Sequence, residues 1–117
     1  PVLMVTADRE KLERTIQNGV RNAIEAMGES GELAIFLANK RHRTAISIED
    51  TGPGIPNADR ARIFTPFFTT KTVGTGLGLA YSRKVVEGMG GHIDLQNRTD
   101  RAGAILTINL PMRRKTQ

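Results

Sequence analysis

"TAISIEDTGPGIP" (residues 44–56) passes from a strand into turn chemistry at the acidic pair Glu49–Asp50. "TAISIED" (44–50) reads as a strand, and Asp, Gly and Pro make "TGPGIP" (51–56) a turn. Upstream, "ELAIFLAN" (32–39) and the polar turn "KRHR" complete a β-hairpin with it. Further upstream, "VLMVT" (2–6) reads as a short buried strand and residues 7–27 as a helix. Asp8 can cap that helix and Gly28 ends it. Leu12, Ile16, Val20, Ala23 and Met27 recur at spacings of three and four, which predicts a core stripe. Downstream, "NADRARIF" (57–64) reads as a short helix and residues 65–76 as a Gly- and Thr-rich loop. A second long helix covers 77–89, and "HIDLQN" and "AILTINLP" form a second hairpin around "RTDRAG". The order β-α-β-β-α-loop-α-β-β predicts an α+β fold. Its form is a two-layer α/β sandwich, a mixed, mostly antiparallel sheet with helices on one face.

The chain has 117 residues, enough for one domain with a real core. It reads as a single unit over 1–112 with a short basic tail at 113–117. With no Cys there is no disulfide, thiol nucleophile or Cys-ligated metal. No apolar run approaches the roughly 18 residues of a membrane span. A cytoplasmic domain without direct membrane contact is expected, and any anchor of a parent protein would lie outside this chain. The net charge is +5. Basic residues cluster at 40–43, at Arg60 and Arg62, and at 113–115, without the interleaved aromatics of a nucleic-acid groove. A polyanionic ligand or a plain solvated surface fits that charge. Three of the four Phe fall within "FTPFF" (64–68), an unusual concentration.

Three stretches carry chemistry, and each is ambiguous alone. "GTGLGLA" (74–80) is either a glycine helix cap or a turn that brings backbone N–H groups and a helix N-terminus to phosphate. It is neither the dinucleotide fingerprint nor a Walker A loop, since Leu stands at 79 and no Lys-Ser/Thr ending follows. Asp50 with Gly52 and Gly54 is either a surface turn or a purine contact. A carboxylate accepts from the amino group of adenine, where guanine presents a carbonyl. In "NGVRNAIEA" (18–26), Asn18 and Asn22 lie one turn apart on one helix face. Two poor helix formers there are either solvent-exposed or ligands for Mg²⁺, which takes oxygen donors.

In this order the stretches resemble the ATP-binding domain of histidine kinases, within the superfamily of gyrase, Hsp90, histidine kinases and MutL. The N box matches "NGVRNAIEA", the first glycine box "DTGPGIP", the F box "IFTPFFTTK" (63–71) and the second glycine box "GTGLGL". The endings "GGHIDLQN" and "AGAILTINLP" match as well, so the resemblance covers nearly the whole chain. It implies a Bergerat-type fold in which Asn22 coordinates Mg²⁺ on the ATP triphosphate, supported by Asn18. Asp50 would take the adenine amino group, with Thr107 as its partner on the last strand. Gly52 and Gly54 would shape the base pocket. Gly74, Gly76 and Gly78 would cradle phosphates, with Thr75 and Leu77 contributing donors. Residues 65–76 would be a mobile lid anchored by Phe64, Phe67 and Phe68. The sequence departs from the family pattern at Glu25, Thr65 and Thr69, which leaves Lys71 as the expected cation at the γ-phosphate.

Hydrolysing members of the superfamily place a general-base Glu where this chain has Asn18, an amide that cannot take a proton. That favours phosphoryl transfer, which rests on positioning and charge stabilisation. His42 and His92 lack the context of a phosphoacceptor and read as structural. The acceptor His is therefore expected on a separate dimerisation domain of the same kinase, with a response regulator receiving the phosphoryl group. The alternatives are a protein-serine kinase of the anti-sigma-factor type and a nucleotide-sensing module without catalytic output.

Overall fold

The computed structural model describes residues 5, 7–59, 62–64 and 78–111. The first helix, α1 (Arg9–Met27), starts where Asp8 accepts a hydrogen bond from the Lys11 N–H at 3.1 Å and stops at Gly28, whose φ is +72°. Capping chemistry thus sets both ends. The strands are β1 (Ala34–Lys40), β2 (Arg43–Glu49), β3 (His92–Asn97) and β4 (Ala104–Pro111), and the second helix is α2 (Gly78–Gly88).

The strands form one sheet in the order β1-β2-β4-β3, and the pairs described are all antiparallel. The register aligns two rows on one face: Ile35–Ile48–Leu106–Leu95 and Leu37–Ile46–Ile108–Ile93. Strict alternation on β2 and β4 sends Ile46, Ile48, Leu106, Ile108 and Leu110 into the core. Both helices pack on that face and on each other. The two hairpins are as read from the sequence. The tight β1–β2 turn holds Arg41 and His42 at positive φ, which matches the strand twist.

α1 approaches the sheet along a line of small residues. Thr15, Gly19 and Ala23, each four apart, are its buried positions, while Leu12, Ile16 and Val20 flank them at half burial. A Cβ at Gly19 would sit 2.8 Å from Leu106 Cδ2 and 2.9 Å from Ile48 Cδ1, so the close approach requires glycine. The Thr15 hydroxyl is satisfied within the helix, donating to the Lys11 carbonyl at 2.9 Å.

The described residues of the helix expected over 57–64 are not α-helical. Asn57–Asp59 make one 3-10 turn and residues 62–64 a turn, while 60 and 61 lie outside the described residues. Nine residues between Pro56 and Pro66 are too few for a stable α-helix without packing. Of the expected strand 2–6 only Val5 is described, in an isolated bridge against the core. The tail at 113–117 lies outside the described residues.

Candidate functional site

Asp50 follows the last residue of β2 and is buried. Its N–H donates to the Ala104 carbonyl at 3.0 Å, extending the ladder one residue past the strand. One carboxylate oxygen, Oδ1, accepts from the Gly52 N–H at 2.9 Å and the Ala104 N–H at 3.1 Å. Among the described residues Oδ2 accepts nothing. A buried carboxylate with one oxygen fixed by backbone and the other unpartnered is poised to accept from a ligand.

Gly52 is buried against the C-terminal turn of α1. A Cβ there would lie 3.0 Å from the Ala26 carbonyl oxygen and 3.3 Å from the Ala26 Cβ. Ala26 belongs to a helical line of residues four apart: Arg14, Asn18, Asn22, Ala26. The other end of that line meets α2, where the Arg14 guanidinium lies 5.7 Å from the ring centre of Tyr81 in the first turn of the helix. Asn18 and Asn22, both half-buried, therefore sit between the Asp50 turn and the start of α2, along a span of about 18 Å at 1.5 Å per residue. Gly78 opens α2, and a Cβ there would meet open space. Helix α1 thus touches the Asp50 turn at Ala26 and α2 at Arg14, with Asn18 and Asn22 between those two contacts along the chain.

The end of the β3–β4 hairpin backs the Asp50 turn. Asn97 accepts from the Ile55 N–H at 2.6 Å through Oδ1 and donates from Nδ2 to the Ile55 carbonyl at 2.9 Å. Gly54, at φ +84°, lies so close that a Cβ would be 2.6 Å from Asn97 Oδ1. Arg98 donates from Nη1 to the Asp50 carbonyl at 3.2 Å and pairs with Glu49 at 3.5 Å. It also grips Asp100 through two bonds of 3.2 Å. The hydrogen bond from Arg98, aided by its charge, holds the Asp100 carboxyl below the usual carboxylate range. Sequence reasoning gave no role to Asn97, Arg98 or Ala104. They lie 42 to 54 residues from their partners, and only the strand register brings them there.

Thr107 is corrected. It pairs with Ser47 and Asp94, three positions along the ladder from Ala104, and faces away from the helices. There it lines an open groove of the outer sheet face with His92, Asp94, Gln96 and Asn109. The partner of Asp50 on β4 is the Ala104 backbone. Glu13 is held in an exposed ion pair with Arg9 at 3.0 Å. Lys71, Gly74, Thr75, Gly76, Leu77, Phe67 and Phe68 lie outside the described residues. Phe64 is described. It packs on the core, with the Arg83 guanidinium 5.7 Å from its ring centre.

Among the described residues no cluster of three or more His, Cys, Asp or Glu could hold a metal. A hard cation here would depend on an amide oxygen together with phosphate oxygens and water. That donor set suits Mg²⁺, which keeps few protein ligands. No described helix is long and apolar enough to cross a membrane.

Comparison with known proteins agrees with this fold. Residues 7–114 match the family described as histidine kinase-, DNA gyrase B-, and HSP90-like ATPase. Sensor histidine kinase ZraS of Escherichia coli (strain K12) is 37% identical over 92% of this chain and 23% of its own length. Sporulation kinase D of Bacillus subtilis (strain 168) is 36% identical over 94% of this chain and 22% of its own. The chain thus spans about a quarter of the length of these relatives. Among solved structures, the nucleotide-free catalytic domain of histidine kinase ThkA superposes with a TM-score of 0.82 at 42% identity, covering 92% of this chain and 70% of that one. Full-length ShkA in complex with AMPPNP superposes with a TM-score of 0.84 at 30% identity, covering 100% of this chain and 25% of that one. The chain belongs to the histidine kinase-, DNA gyrase B- and HSP90-like ATPase family.

Proposed function

We propose that this chain is the ATP-binding catalytic domain of a sensor histidine kinase. It binds Mg-ATP and presents the γ-phosphoryl group to a His on a separate dimerisation domain, from which a response regulator receives it. The observation that carries the reading is Asp50, with Oδ1 committed to two backbone N–H groups and Oδ2 left to accept from the adenine amino group. Asn22, supported by Asn18, holds the cation on the triphosphate. The N-terminus of α2 offers unpaired N–H groups and the positive end of its dipole to the phosphates, beginning at Gly78. In the second glycine box Gly74, Thr75, Gly76 and Leu77 complete that cradle, with Lys71 at the γ-phosphate. Magnesium, when bound, neutralises phosphate charge. The chain's own residues orient the nucleotide and supply no general base, because Asn18 occupies the position where hydrolysing relatives place one.

Asp50→Asn tests the base pocket. The Asn carbonyl oxygen can keep the bonds from Gly52 and Ala104, so the amide NH₂ takes the place of Oδ2 and meets the adenine amino group donor to donor. ATP affinity is expected to fall roughly 10- to 100-fold, the worth of a charge-assisted bond. GTP, with a carbonyl at that position, is expected to lose much less, so the ATP/GTP ratio measured by calorimetry collapses. Unchanged ATP affinity would place the base elsewhere.

The transfer reading has its own test. The chain is incubated with Mg-ATP and a His-bearing dimerisation domain from the parent kinase. Acid-labile label on that domain is expected. Acid-stable label on a serine would favour the anti-sigma-factor-type reading, and tight binding without transfer would leave a nucleotide-sensing module.

A further inference from the structure

Among the described residues the turn after Asp50 has no strand partner, yet both polar backbone groups of Ile55 are satisfied by a single side chain, Asn97. The geometry points to Asn97 as a positioning residue for the nucleotide base: its amide acts as a surrogate strand residue that fixes the wall of the base pocket before any ligand arrives. The inference rests on the reading of Asp50 as the adenine contact.

Asn97 ends β3, and β3 belongs to the rigid sheet through its pairing with β4. Its Oδ1 and Nδ2 reach across to Ile55 with an acceptor and a donor in one plane, at 2.6 and 2.9 Å. Among side chains of this length only an amide offers both. Asp would keep the acceptor but set oxygen against the Ile55 carbonyl, and Ala would lose both bonds. The fit is close on the other side too, because Gly54 leaves no room for a Cβ beside Asn97 Oδ1.

Asp50 forms the second anchor, bonded to Ala104 through both its N–H and its carboxylate. Asn97 and Ala104 are themselves paired in register across β3 and β4. The two ends of the turn, Asp50 and Ile55, are thus tied to one rung of the sheet with only residues 51–54 between them. Releasing Ile55 would leave Asp50 in place but free Gly52, Pro53 and Gly54 to move relative to it. A base lying against that turn would then lose its fixed wall, while phosphates held near Asn22 and Gly78 would not notice.

The test compares ADP with magnesium tripolyphosphate, a ligand without a base, on Asn97→Ala and the isosteric Asn97→Asp. Both are measured by calorimetry well below their melting temperatures, with Ile55 amide exchange followed by NMR. ADP affinity is expected to fall roughly tenfold, the worth of two neutral hydrogen bonds. Tripolyphosphate affinity should stay within about twofold, a change negligible on that scale. Ile55 exchange should accelerate while Leu106 and Ile108 remain protected. A lowered melting temperature with unchanged ADP affinity in both variants would reduce Asn97 to a structural brace and overturn the inference. Equal loss for ADP and tripolyphosphate would overturn it too, since the effect would not belong to the base. Asp50→Asn run in parallel separates the two failures. If it weakens ADP while the Asn97 variants do not, only the clamp is wrong. If it too leaves ADP binding unchanged, the base-pocket reading has failed.

Discussion

Asn22→Ala is expected to leave a folded chain whose ATP binding no longer responds to magnesium. Asn22 is half-buried on the helical line that runs from Arg14, beside Tyr81, to Ala26, beside Gly52. Asn22 is only partly buried and is not one of the fully buried positions of α1, which are Thr15, Gly19 and Ala23, so its removal opens no core cavity. Alanine is also the better helix former, by about 0.5 kcal/mol, so α1 itself should not weaken. What disappears is the amide oxygen proposed to ligate the cation. Without it Mg²⁺ binds only through phosphate and water, and its charge is no longer fixed where the triphosphate needs it. We expect the affinity for ATP in excess magnesium to fall about 100-fold, to the level the wild-type chain shows in a chelator. Calorimetry with and without magnesium reads this directly, and circular dichroism checks the fold. A variant that keeps its magnesium dependence would remove Asn22 from the metal site. Asn18→Ala, whose role is supporting, should show the same trend more weakly.

Much of the fold was legible in the sequence because local chemistry announces it. Asp8 and Gly28 place the ends of α1 within two residues, and the bounds of β3 and β4 are those read from the sequence. The line of closest approach was not legible. Leu12, Ile16, Val20 and Ala23 of the apolar stripe do pack on the core, but the closest approach to the sheet is at Gly19, whose value lies in being small. The outward orientation of Thr107 is legible in the alternation of β4. Ala104, Leu106, Ile108 and Leu110 alternate inward, so an odd-numbered neighbour had to face the other way. No such signal existed for Asn97, Arg98 and Gly103. Their meaning comes from the pairing of β2 with β4, two strands from different hairpins, which local pattern does not specify. The Asp50 site therefore divides into a half that is read locally, the carboxylate and its glycines, and a half supplied by the opposite hairpin.

Gly103→Ala should show how much that second half matters, since it acts on Asp50 without touching its side chain. Gly103 is buried at φ +133°, a conformation that L residues rarely adopt. A Cβ there would overlap the Asp50 carbonyl oxygen and lie 2.9 Å from Arg98 Cδ. The overlap is with backbone and cannot be relieved by a rotamer change. The chain must move the hairpin end away from β2. That movement breaks the bonds from Ala104 N–H to Asp50 Oδ1 and from Arg98 to the Asp50 carbonyl, which together hold the carboxylate in its orientation. Backbone strain and the clash together should cost about 3 kcal/mol of stability or more. Urea unfolding measures this. The folded fraction, held at low temperature, should also bind ATP at least about tenfold more weakly, since each lost backbone bond is worth around 1 kcal/mol to the geometry of Asp50. Gly28→Ala is the matched control. Gly28 also has positive φ, but a Cβ there meets nothing within 4 Å. It should lose about 1–3 kcal/mol through backbone strain alone, with nucleotide affinity unchanged. If Gly103→Ala were as mild as Gly28→Ala, or if it lowered stability while ATP affinity held, the orientation of Asp50 would not depend on the β3–β4 hairpin. The carboxylate would then have to be held in place by the Gly52 N–H alone.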